Sequence, residues 1–255
     1  MADPESKSTV KTAETTFRIL EKLNQRSEAT VTELTEEFEL SVSSIHNYLK
    51  TLEQKGYVIK EDGKYRIGLR FLDLGGRARH NHRLYQIGKD EVTKLADETG
   101  EMANLLVDEA GMGVYLHRAH GEQAVQTDSY IGQRVHLHNT ALGHAILAHL
   151  PRQRVDEIID AHGLPASTDQ TITDREALHE ELDKVRERNV AYDDEARLKG
   201  LRCVAVPILD NDGVIQGAIS VSGPTSRFEG DRFRTELPEK LKNAANVIEL
   251  NITYT

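Results

Sequence analysis

Three groups of side chains have the types and spacing to do chemistry. A period of two over residues 214–222 puts Ser220 and Ser222 on one face of a strand and Ile219 and Val221 on the other. Cys203 and Ala205 share a face of the preceding strand, and Asn139, Thr140 and Gly143 straddle a helix start whose first N–H groups suit an anion. The second group lies on a helix with Ile45, Leu49 and Leu52 inward. There, 100° per residue sends Ser43, Asn47, Lys50 and Gln54 to the opposite face, with Ser44 and His46 on its flanks. Hydroxyls, an amide and a cation near a helix N-terminus suit a reader of the DNA major groove, because Asn pairs with adenine, Lys with guanine, and Ser with phosphates or bases. The third group is Cys203 with the 11 histidines. A thiolate beside a base would be a nucleophile, and His136 with His138, or His117 with His120, could share a metal. No motif ties Cys203 to a particular histidine, and neither pair has an evident third ligand. An enzyme or a metal sensor is therefore the alternative reading, with no catalytic residue, metal or cofactor expected.

The elements that must position these groups divide the chain in two. Over the first 68 residues, Ala13, Phe17, Leu20 and Leu23 predict a helix near 12–25. Thr30 and Glu33 form a capping-box pattern before a short helix, and Ser41 or Ser43 caps a third helix that Gly56 stops. Residues 57–59 and 65–67 then bracket Glu61-Asp62-Gly63-Lys64 as a hairpin. Three helices and a wing make a winged helix-turn-helix at 1–68, with Lys60, Lys64 and Arg66 placed to grip the DNA backbone. Residues 69–89 read as one linker helix bearing Arg70, Arg77, Arg79 and Arg83. Beyond it, hairpins over 102–118 and 202–222, a further strand at 124–130, helices near 141–149, 151–162 and 174–188, and a final helix near 230–250 predict an α+β domain at 90–255 built on one antiparallel sheet.

Composition narrows the class. Of the 255 residues, 38% are hydrophobic and 29% charged, the balance of a globular protein. The longest apolar run, Cys203 to Leu209, is far below the ~18 residues of a membrane span. MADPESKSTVKTAE has neither a basic nor an apolar leader region, and a single cysteine forms no internal disulfide, so a reducing cytoplasm is expected. The net charge of −10 divides into −2 for residues 1–67, +4 for 68–89 and −12 for 90–255. Non-specific coating of nucleic acid is thereby disfavoured, while a local DNA reader beside a positive stripe is not.

The motifs resemble those of the IclR family of transcription regulators. LSVSSIHNYLKTLEQKGYV at 40–58 is similar to its recognition-helix region and KYRIG at 64–68 to its wing. VHLHNTALG at 135–143 looks like its PLHxTALGK segment, with His144 in place of the usual Lys. VAYDDE at 190–195, GLRCVAVPI at 200–208 and SVSGP at 220–224 look like its later signatures. Where the family often has Pro-Lys before a Ser-Thr pair and Arg after the His, this chain has Ser41-Val42, Ser43-Ser44 and Asn47, so base preference stays open.

The resemblance implies a GAF-like effector domain whose ligand meets the Ala141 and Leu142 amides, Asp193, Cys203, Ser220 and Ser222, with Leu201 as an apolar wall. It also implies a homodimer formed through the N-terminal region and linker, pairing into a tetramer on a pseudo-palindromic operator in double-stranded DNA. This set of ligand-contacting positions contains no Lys or Arg, which predicts a modestly charged small carboxylate such as a hydroxy- or keto-acid.

Overall fold

The computed structural model describes residues 9–254; residues 1–8, which open the MADPESKSTVKTAE segment, and Thr255 lie outside it. Two compact units meet between Ala78 and Arg79. The first opens with α1 (Lys11–Arg26), β1 (Ala29–Thr30) and α2 (Val31–Phe38). It continues with α3 (Val42–Gln54) and the hairpin of β2 (Val58–Glu61) and β3 (Lys64–Ile67). Ile19, Leu23, Leu34, Ile45, Leu49 and Tyr65 form its core. Both expected caps are present. Thr30 and Glu33 close a reciprocal capping box at α2, and the Ser41 hydroxyl accepts the Ser44 N–H at α3. The short β1 was not anticipated from sequence; it adds a third strand in the order β1-β3-β2.

The expected single linker helix over 69–89 is instead two helices. α4 (Arg70–Asn81) ends where His82 takes extended backbone angles, and α5 (Arg83–Thr99) follows. α4 has no buried residue, whereas α5 buries Leu84, Gly88, Val92, Leu95 and Ala96. An apolar face of that width belongs to a domain core, so the expected domain start at residue 90 falls inside α5, and the core of the second unit begins at Leu84.

The second unit continues with β4 (Met102–Glu109), β5 (Met112–His120) and β6 (Arg134–His136). Then come α6 (Ala141–Leu147), α7 (Arg152–His162) and α8 (Arg175–Arg188). β7 (Ala191–Asp194), β8 (Leu201–Leu209), β9 (Ile215–Pro224) and α9 (Leu237–Tyr254) complete it. The six strands form one sheet in the order β6-β5-β4-β9-β8-β7, every neighbour antiparallel. α5 and α9 pack on one face against Leu105, Val204, Ile219 and Val221. α6, α7 and α8 cover the other, against Leu106, Ala191, Ala205 and Ala218. Residues 124–130 are not the expected strand. They join no ladder, and the segment that pairs with β5 is β6, along Met112–Val114.

α6 packs tightly against the turn at Leu137–Asn139 because of Gly143. A Cβ there would stand 1.9 Å from the Leu137 carbonyl oxygen, far inside contact distance. Gly143→Ala should cost the second unit about 1–3 kcal/mol or more through forced displacement of α6. Urea unfolding of the full chain checks this, and an unchanged midpoint would show that the helix moves freely.

Candidate functional site

In the second unit, sheet register assembles the site. Across the face under α6, Arg118 on β5 opposes Asn104 on β4, which opposes Ser220 on β9. One step along, Met102 opposes Ser222, Ser222 opposes Cys203 on β8, and Cys203 opposes Asp193 on β7. Facing residues of paired strands share a side, so five strands contribute polar groups to one floor. The β4–β5 register shifts between Leu105 and Leu106, so that Leu106 opposes Tyr115. That bulge brings Tyr115 to the same side as Arg118, although an odd spacing of three would separate them in a regular strand. All seven residues expected at the ligand site, Ala141, Leu142, Asp193, Leu201, Cys203, Ser220 and Ser222, line one cavity of about 90 Å³. Residues 127–129 and the 197–198 segment close its rim.

The expectation of a lining without Lys or Arg is overturned. Arg118 and Arg197 both line the cavity. Arg118 Nε donates to Asn104 Oδ1 at 2.9 Å and its Nη2 to Thr127 at 3.0 Å. Arg197 donates to the Tyr115 hydroxyl at 2.7 Å and to Ser129 at 3.0 Å. Their guanidinium carbons stand 5.3 and 5.7 Å from the centre of the Tyr115 ring. Among the described residues, neither forms an ion pair with a carboxylate. Arg118 was legible as a charge within an apolar strand. Arg197 lies in a loop with no periodic signal, and only folding carries it to Tyr115, 82 residues away. Asn104 ties the floor together, donating to Ser220 at 3.1 Å and Ser222 at 3.4 Å.

Burial sets the charge states. It pushes the Asp193 carboxyl up to about 7, although the carboxylate accepts the Ala196 N–H at 2.7 Å. It pushes the Cys203 thiol up to about 12, and the sulfur donates to Ser222 at 3.0 Å. Cys203 is therefore a protonated thiol at neutral pH, not an activated nucleophile. The histidine pairs fare no better as ligands. His138 Nε2 is engaged by the Pro165 carbonyl at 3.0 Å, His117 Nε2 lies 3.2 Å from Thr93, and His144 Nε2 donates to the His138 carbonyl at 2.5 Å. Among the described residues, no group of three or more His, Cys, Asp or Glu is placed to hold a metal.

In the first unit, Ser43, His46, Asn47 and Lys50 are exposed on α3. Ser44 is half-buried, its hydroxyl 2.8 Å from that of Ser41. Asn47 borders an apolar groove with Thr12, Thr16, Tyr48 and Thr51, on the flank of α3 nearest α1. The wing cations are not free. Lys64 is ion-paired with Glu28, and Arg66 with Glu61.

A helix-turn-helix unit with a wing, joined to a unit built on one antiparallel sheet, defines a transcription regulator. The family model described as "Bacterial transcriptional regulator IclR C-terminal" matches residues 76–250, and that of the "Bacterial regulatory protein, arsR family" matches 14–60. The chain is 35% identical over 240 residues to the HTH-type transcriptional regulator KdgR of Escherichia coli, covering 93% of this chain and 91% of that protein. The crystal structure of the Thermotoga maritima IclR superposes with a TM-score of 0.77 at 32% identity, over 95% of this chain and 99% of that one. An IclR homologue from Microbacterium hydrocarbonoxydans, solved with 4-hydroxybenzoate, superposes with a TM-score of 0.78 at 25% identity, over 92% and 96%. The chain belongs to the IclR family of transcription regulators. Among the described residues, no helix is long and apolar enough to cross a membrane.

Asp193 binds a proton in the folded state between its ordinary 3.8 and about 7 that the unfolded chain has released. Its contribution to stability is thus complete below about pH 4 and is lost as pH rises through 7. Asp193→Asn should flatten the decline in thermal midpoint over that window. A wild-type slope retained in the variant would locate the titration elsewhere.

Proposed function

We propose that the chain is a cytoplasmic one-component regulator whose hold on a pseudo-palindromic operator is set by a small organic carboxylate in the second unit. The observation that carries this is the pair of guanidiniums, Arg118 and Arg197, lining a cavity of about 90 Å³ without an ion pair to Asp128 or Asp193 in the same lining. Half-buried guanidiniums that form no ion pair keep donors available for an anionic guest. The volume is below the roughly 150 Å³ of an engineered cavity that takes up benzene, which points to a ligand of few heavy atoms. Ser220, Ser222, Asn104 and the Tyr115 hydroxyl suit the hydroxyl or keto group of such an acid. The relative solved with 4-hydroxybenzoate holds a carboxylate bearing a hydroxyl, which supports the same class here. Asp193 faces this ligand best when protonated, so a carboxylate should bind more tightly below about pH 7 than above it.

On the DNA side, Ser43, His46 and Lys50 form the reading face of α3, with Ser44 held behind the Ser41 cap and Asn47 at its edge. Homodimerisation through α4 is supported by the exposure of Leu69, Leu72 and Leu74 on a segment that buries nothing of its own. A pair of dimers would place four second units together, and ligand occupancy would bias the spacing of the DNA-reading units by about 1–3 kcal/mol.

Two measurements test this. In a thermal-shift screen of small organic acids, a hit should stabilise the wild type but not Arg118→Gln, Arg197→Gln or the Ser220→Ala, Ser222→Ala double variant. Equal stabilisation of all four proteins would place the ligand elsewhere. Lys50→Ala should weaken binding to an operator selected from a random pool by about 1–3 kcal/mol with the fold intact, and undiminished affinity would show that another face of the unit reads the DNA.

A further inference from the structure

The outward face of the wing carries its own counter-charges. In the hairpin, Glu61 opposes Lys64 and Ile59 opposes Arg66, so these side chains share one side. Lys60 opposes Tyr65 on the other, where its ammonium lies 5.3 Å from the buried ring. Pairing of Ala29 with Tyr65 and Thr30 with Lys64 brings Glu28 onto this hairpin from 36 residues away. Glu28 forms an ion pair with Lys64. Glu61 takes both Arg66 Nη2 at 2.9 Å and Nε at 3.2 Å. Glu33, fixed by its capping box at α2, adds its field at Lys64, and Asp62 sits in the turn between the strands. All four paired side chains are 39–63% exposed, so the pairs are accessible to solvent and to a phosphate.

We infer that Glu28 and Glu61 set the strength and the salt dependence of DNA binding by holding Lys64 and Arg66 in competition with backbone phosphates. The inference rests on the DNA-binding reading above. A free lysine that meets a phosphate releases a condensed counterion, which is what makes binding salt-sensitive. A lysine that must first leave a carboxylate also releases that counterion. The abandoned carboxylate then attracts a cation from solution, and the two effects oppose each other. An exposed pair is weak enough to be exchanged in this way. The wing thereby grips less tightly at low salt and loses less grip as salt rises. Base discrimination is untouched, because the exchange involves phosphates alone.

The test is binding of a fluorescent random-sequence duplex across a salt series by wild type, Glu28→Gln, Glu61→Gln and the double variant, with thermal midpoints measured in parallel. Each isosteric change should tighten binding about two- to fivefold at low salt and steepen the log–log salt slope by about 0.9, with little change in midpoint. The gain from Glu28→Gln should vanish in a Lys64→Gln background. Retention of that gain without Lys64 would mean that the glutamate acts only as a general negative charge and would overturn the inference. Equal affinities and slopes in wild type and variants would overturn it too, while leaving DNA binding itself standing. Failure of every protein to hold any duplex would instead remove the DNA-binding reading on which it rests.

Discussion

The antiparallel pairing of β4 with β9 joins the hairpin near residue 110 to the hairpin near residue 210 and makes one sheet of six strands. Both faces of that sheet are covered by helices, so its register is fixed by two cores at once. A slip of one residue would turn Asn104, Ser220 and Ser222 toward α5 and α9, stranding three polar side chains against Val92, Leu241 and Ile248. It would also send leucine and valine into the cavity. The constraint that keeps the core dry is therefore the one that keeps the cavity polar. Gly143 and the β4–β5 bulge refine the result, the first by letting α6 approach and the second by turning Tyr115 inward.

The two units use the same residue types to opposite effect. In the cavity, Arg118 and Arg197 are left with hydroxyl and amide partners, and the one carboxyl in the lining that lies deep, Asp193, is pushed toward its neutral form by burial. That balance of charge is what the proposed carboxylate ligand rests on. On the wing, Lys64 and Arg66 are each matched by a glutamate from within the same unit. Water surrounds those pairs and keeps them exchangeable, whereas the protein interior amplifies any charge left unmatched in the cavity. Dielectric environment, more than residue identity, separates the proposed anion site from the proposed DNA-contacting surface.

The sequence by itself determined the local elements and most of the cavity floor. Capping at Thr30 and Ser41, the helical spacing of Ile45, Leu49 and Leu52, and the two-residue period around Ser220 are properties of neighbours in the chain, and each survives intact in the fold. The family motifs added Asp193 and Leu201, which no periodicity marks. Tertiary structure alone decided the rest. Which segment became the strand beside β5 was decided by pairing across the fold, and it is 134–136 and not 124–130. Whether helix 69–89 was a spacer or part of a core depended on a sheet that begins only at Met102. The guanidinium of Arg197 and the carboxylate of Glu28 acquire their meaning from partners 82 and 36 residues away. Charge acts through space and falls off over a few ångströms, so its partners become readable only once the backbone has been folded.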